Sequence, residues 1–318
     1  MFGKLAKIIE ENFVDIKDKQ GKVIIQIGLF VTLYFKNAYL PEKALSVAQC
    51  FNEYLEMCGE HLRWAANNDG GWFDLNKKSI ATPEKWLEKK VLTENDKWFF
   101  EYHGGTQKNE ASHFYMSSMN QRKWECEKGK LGHITAKFPL TWFDNHQINF
   151  VNLVLNWCQK IKPIHGYGGI GIIESPELST RAEHADTVYA IAKRFPGLEV
   201  DSPISHSLYL SKGIKGVNWL TVLDENWLQK AGGYSELKKK TGDGFRLEQY
   251  PGGILIQAGK HPDIGNVNRN QFPQYYVRLN RILKPIRVEK IRRIHDSLGF
   301  DPERTDAWLS RFDSCDQE

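Results

Sequence analysis

The chain has 318 residues, 41% of them hydrophobic and 26% charged, and its 43 basic against 39 acidic side chains give a net charge of +4. That length supports a large hydrophobic core. The mild charge excludes both a strongly basic nucleic-acid binder and the acidic surface of a DNA mimic, so any electrostatic recognition must be local. Five cysteines, Cys50, Cys58, Cys126, Cys158 and Cys315, form no CxxC pair. An odd number without ligand spacing points to a reduced compartment and away from zinc. The N-terminal segment, Lys4 to Lys22, is mixed in charge and lacks the short basic region and cleavage site of a signal peptide. A cytoplasmic location is therefore expected.

In chain order, the pattern predicts a short amphipathic helix over Phe2–Phe13, a turn at Gln20-Gly21 and a strand over Val23–Phe35. That strand is apolar but too short to span a membrane, and Gln26 and Thr32 interrupt it. Pro41 opens a helix in which Ala44, Ala48, Phe51, Leu55, Cys58 and Leu62 recur at spacings of three and four. It ends before the turn cluster Asn67-Asn68-Asp69-Gly70-Gly71. Residues 72–96 are charged, with scattered tryptophans, and carry no assignable pattern. Strands follow over Trp98–Tyr102, His113–Met119 and Leu131–Leu140. A helix through Ile148, Val151, Leu155 and Cys158 ends near Lys162-Pro163, and Gly168–Ile173 returns as a strand.

The second half opens with a helix over Leu178–Phe195, stopped by Pro196-Gly197. Val217–Leu223 is a strand, and Asp224 caps a helix that runs to Ala231 and ends at Gly232-Gly233. Lys238-Lys239-Lys240 leads to strands over Phe245–Tyr250 and Ile254–Ala258, joined at Pro251-Gly252-Gly253. Helices are predicted over 270–284 and about 287–298, and a last one begins at Asp301-Pro302 and buries Trp308, Leu309 and Phe312. The halves, about 1–175 and 176–318, share an order of strand, helix, paired strands and helix. The expectation is an α+β fold of antiparallel or mixed sheets with packed helices, built as two βαββα halves of split-βαβ type in one body. No Pro/Ser-rich linker separates the halves.

The stretch Gly252–Arg287 organises the chain: Ile254-Leu255-Ile256 between glycines, a turn-rich loop, then Phe272, Tyr275, Tyr276, Leu279, Ile282, Leu283 and Ile286 at helical spacing. With Gly265-Asn266-Val267-Asn268, Pro285-Ile286-Arg287, Arg194-Phe195-Pro196-Gly197-Leu198-Glu199, Gly213–Leu223 and Gly166–Gly171, it resembles the type VI immunity protein family. The second half carries most of the resemblance. Membership implies a protein that binds a cognate toxin of a type VI secretion system, in some members a VRR-Nuc-type nuclease whose DNA-binding face is covered. These motifs are structural, so the family assigns no contact residue.

Read for chemistry, the residues give little. Gly166-x-Gly168-x-x-Gly171 has the letters of a dinucleotide fingerprint but runs into a strand, so it reads as close backbone packing and no cofactor is expected. GxSxG and HExxH are absent, and the ten histidines stand singly. Asp144-Asn145-His146 reads as a helix cap. The basic run Arg278, Arg281, Lys284, Arg287, Lys290, Arg292 and Arg293 lacks interleaved aromatics, so it reads as a solvated face and direct nucleic-acid binding is not expected. Glu174, Glu177, Glu183 and Asp186 form an acidic stretch that suits loop and helix N-termini. Taken with the resemblance, they are the candidate partner-binding residues, set against a basic surface of the toxin. The expected protein is non-catalytic; the alternative is an enzyme with an unrecognised site that acts on the toxin or its product.

Overall fold

The computed structural model describes residues 15–68, 71–145, 149–292, 294–295 and 300–313. The first part contains β1 (Ile16–Lys17), β2 (Val23–Phe35), α1 (Pro41–Cys58), β3 (Trp64–Asn67), β4 (Trp72–Asp74), α2 (Pro83–Leu87) and β5 (Phe99–His103). Next come β6 (Tyr115–Met119), α3 (Lys123–Glu127), β7 (Gly132–Phe138), α4 (Trp142–Asn145), α5 (Phe150–Ile161) and β8 (His165–Glu174). The second part contains α6 (Leu178–Glu183), α7 (Ala185–Arg194), α8 (Pro203–His206), β9 (Leu220–Asp224), α9 (Glu225–Lys230) and α10 (Gly233–Thr241). It ends with β10 (Phe245–Tyr250), β11 (Gly253–Ala258), α11 (Gln274–Leu283) and α12 (Pro302–Leu309).

Among the described residues all strands join one 11-stranded sheet in the order β10-β11-β9-β8-β2-β7-β6-β5-β3-β4, with β1 beside β2. Each pairing is antiparallel. β2 sits at the middle because VIIQIGLFVTLYF is rich in β-branched and aromatic side chains and can be buried on both faces. It pairs with β7 from Leu29↔Phe138 to Phe35↔Gly132 and with β8 from Ile25↔Glu174 to Tyr34↔His165. The glycines of β8 serve that packing. A Cβ on Gly166 would meet Leu33 at 2.5 Å, and one on Gly169 would meet the Asn218 side chain at 2.2 Å.

Two parts of the sheet are wound alike. β2 leads to α1 and then to a meander, β3-β5-β6-β7, whose last strand returns to β2. β9 leads to α9 and α10 and then to β10-β11, whose last strand returns to β9. Helices α5 and α11 follow the two windings. The α+β expectation with a large antiparallel sheet is met.

The two faces of the sheet differ. On one, α1 and α5 cover an aromatic core: Phe51 lies 6.0 Å from Phe100 and 5.8 Å from Tyr102, and Phe138 lies 5.1 Å from Tyr54. Strand alternation sends the neighbours of those residues, Glu101 and Lys137, to the opposite face. There the segments around residues 175–181 and 201–204 form the cover.

Several predicted elements change. The helix over Leu178–Phe195 is two helices that part at His184, whose φ of −111° leaves helical geometry. Gly232 ends α9 with φ of +102°, but α10 starts at once and carries Lys238–Lys240 on its exposed side while burying Leu237. Residues 287–292 are not helical. After a tight turn at Lys284–Ile286 the chain extends, Ile214 N–H donates to Ile286 O at 3.0 Å, and Val288 N–H donates to Ile214 O at 2.8 Å. The second of these long-range bonds takes the Val288 donor that a helix would use. The cap of α5 is Asn149, which accepts from Asn152 N–H at 3.1 Å, rather than Asp144, which lies within α4. The predicted Phe2–Phe13 helix lies outside the described residues.

Candidate functional site

The acidic stretch begins where β8 ends and runs over α6 into α7. Its four carboxylates fare differently. Glu174 is buried, and His295 Nε2 lies 2.9 and 2.8 Å from its two oxygens, with Arg181 Nε at 3.9 Å. Burial opposes the Glu174 charge, but His295 and Arg181 outweigh it and hold the carboxyl below its ordinary range. Glu177 is exposed and accepts from Asn109 at 3.1 Å and from Thr180 at 2.9 Å, bonds that pull its pKa down. Glu183 is exposed, and Asp186 is exposed and paired with Arg304. Glu177, Glu183 and Asp186 are thus presented to solvent, whereas Glu174 anchors the segment from beneath.

Under this segment lies a cavity of about 250 Å³ on the polar face of the sheet. Its wall draws on β5, β6 and β7 through Glu101, Tyr115, Ser117, His133, Thr135 and Lys137. Tyr115 Oη donates to Glu101 Oε1 at 2.8 Å. Burial pushes the Glu101 carboxyl up to about 7 despite that bond. The Lys137 ammonium lies 4.3 Å above the Tyr115 ring, and burial pushes it down to about 8. His133 is held neutral by burial, down to about 4, and its Nδ1 has no hydrogen-bond partner among the described residues. Leu178 and Ile204 also line the cavity, yet remain 63% and 55% exposed.

A buried polar network adjoins the cavity through Asp201. Asp201 accepts from Thr32 at 2.6 Å and Tyr167 at 2.8 Å. Burial works against its charge, but His206, Lys215 and Thr32 keep the carboxyl well below the usual carboxylate range. Lys215 Nζ lies 2.6 Å from Glu199, which also accepts from Asn218 at 3.0 Å. These groups are held mainly by one another, which makes the network structural.

Sequence reasoning missed the cavity. The available signal was period-two alternation of polar residues against aromatics in FFEYH, YMSSM and HITAKF, which marks one polar sheet face in the interior. The C-terminal basic run is dispersed. Arg278 donates to Lys240 O, Arg287 makes two bonds to Asp313 at 2.8 and 2.7 Å, and Lys290 and Arg292 line a groove with Lys212 and Lys230. Arg293 and His146 lie outside the described residues. Among the described residues no group of three or more His, Cys, Asp or Glu is arranged to hold a metal ion, and no helix is long and apolar enough to cross a membrane.

The profile of the family described as TsiV, type VI immunity for VRR-NUC, matches residues 46–312. Among solved structures, the Pseudomonas aeruginosa T6SS protein PA0821 is similar over 98% of this chain and 91% of its own, with a TM-score of 0.85 and 26% identity. No curated protein matches the sequence. The match reaches well into the first half, where the resemblance read from sequence was weakest. With most of its length covered, the chain belongs to the family of type VI immunity proteins for VRR-NUC.

Proposed function

We propose that this protein neutralises a VRR-NUC-type nuclease toxin of a type VI secretion system by binding it and covering the surface that engages DNA. The family match over residues 46–312 carries this reading. The site of action is the cytoplasm, where the DNA is, and the mechanism is occlusion without chemistry. Acidic groups meet the toxin's phosphate-binding cations, and apolar anchors slow dissociation.

Glu177, Glu183 and Asp186 supply the acidic contacts, and Glu174, fixed by His295 and Arg181, holds their segment in place. Reversing the three exposed carboxylates to Lys is expected to slow association about tenfold or more at low salt. Protection of cells expressing the toxin should fall with it. Unchanged association would remove this segment from the interface.

The cavity favours one second reading, an enzyme acting on the toxin, because Glu101 at about 7 and Lys137 at about 8 converge in it. The mass of the toxin recovered from rescued cells separates the two readings. An unaltered toxin in a stable complex supports occlusion, and a modified toxin supports the enzyme.

A further inference from the structure

The proposal concerns the cavity and rests on the toxin-binding reading above. Which of its polar groups are already satisfied decides what guest it fits. Both oxygens of Glu174 are engaged by His295, and those of Asp201 by Thr32 and Tyr167. Lys137 differs. Its ammonium carries three donors, but among the described residues no acceptor lies within hydrogen-bond or ion-pair distance of it, and only the Tyr115 ring faces it. Glu101 takes a single bond, from Tyr115.

An entering cation would meet Lys137 and Arg181, and Arg181 does not lose its charge at working pH. An entering carboxylate would find Lys137 as a partner, and Glu101, which titrates at about 7, accepts a proton at little cost and then donates to the guest. At the mouth, Leu178 and Ile204 are exposed at 63% and 55%. An apolar rim around a desolvated polar socket is the anatomy of a protein hot spot. A volume of about 250 Å³ is below the usual range for drug-sized ligands and suits an inserted side chain.

We infer that the cavity is a socket for an acidic side chain of the bound toxin, whose carboxylate seats on Lys137 between the Leu178 and Ile204 rims. The surface is then graded, with a cationic socket beside exposed carboxylates. It would discriminate toxins by the position of one Asp or Glu within a basic field.

The test uses the full chain and a VRR-NUC-type toxin against which it protects cells, with dissociation followed by interferometry. Lys137→Met and Lys137→Gln should leave the melting temperature of the free protein equal to or above wild type, because a half-buried cation that makes no direct ion pair is removed. Affinity for the toxin should nevertheless fall about 30-fold or more, chiefly in koff. Alanine replacement of the toxin's exposed Asp and Glu residues should find one whose loss is non-additive with Lys137→Met. Wild-type affinity in both Lys137 variants overturns the socket while leaving the toxin-binding reading intact. Tighter binding by Lys137→Met, with weaker binding by Glu101→Gln, overturns it in favour of a cationic guest. Absence of wild-type binding overturns the parent reading and the socket with it.

Discussion

The Glu199–Lys215 pair offers the sharpest energetic test of the buried polar network. Lys215 is 2% exposed, its ammonium lies 2.6 Å from Glu199 Oε1, and it donates to Val200 O at 2.6 Å. The same ammonium stands 4.7 Å from the Tyr167 ring and 5.2 Å from the Trp308 ring, so β8, the loop before β9 and α12 meet on it. Lys215→Met leaves a buried carboxylate with Asn218 at 3.0 Å and Arg311 at 3.8 Å as its remaining partners. Stranding one member of a buried pair costs about 3–5 kcal/mol. With an unfolding entropy of about 2.1 cal/mol/K per residue, a chain of 318 residues shifts about 1.5 °C per kcal/mol, so Tm should fall by roughly 4–8 °C. Calorimetry at pH 7 measures this directly. The double variant with Glu199→Gln should recover about 1–3 kcal/mol through coupling. A loss under about 1 °C, or strict additivity in the double variant, would refute the claim that this network is desolvated and energetically coupled.

Three further outcomes follow from the structure. Burial lifts the folded-state pKa of Glu101 to about 7, above its ordinary 4.5, and so destabilises the protein progressively as pH rises from 4.5 through 7. Glu101→Gln should therefore raise stability by about 1–3 kcal/mol at pH 8 and leave it unchanged at pH 4, as read by paired denaturant titrations. Glu174 is shifted the other way: its stabilisation is present above 4.5 and is lost as pH falls through its lowered folded-state pKa, so Glu174→Gln should flatten the acid limb of the Tm profile. Cys50 and Cys58 are buried and their thiols are pushed up to about 12, so iodoacetamide should leave both unlabelled in the native protein. Labelling at neutral pH would mean that α1 opens.

What could be read from the sequence follows the range of the interactions. Val23–Phe35 was legible to the residue, because its apolar run and flanking turn are local signals. The Asp224 cap and the helix start at Asp301-Pro302 were legible for the same reason, and each aspartate accepts from the backbone N–H three residues on at 2.8 Å. The 287–292 segment was not, because its extended form comes from bonds to Ile214, more than seventy residues away in the chain. Glu174 was read with its acidic neighbours, yet His295 and Arg181 draw it beneath the surface; only Arg181 is local. Lys137 and Glu101 attracted no notice because neither belongs to a motif. Their significance comes from the register of β5, β6 and β7, which sets them against Tyr115 across three strands.

The measurement that bears most directly on the central claim is a stoichiometric titration of the toxin's nuclease activity on linear DNA with this purified protein, analysed alongside size-exclusion chromatography. Occlusion predicts that cleavage falls linearly to zero at a fixed molar ratio, with both chains co-eluting and the toxin's mass unchanged. Inhibition by a small molar fraction without a complex, or full cleavage at molar excess, would contradict it.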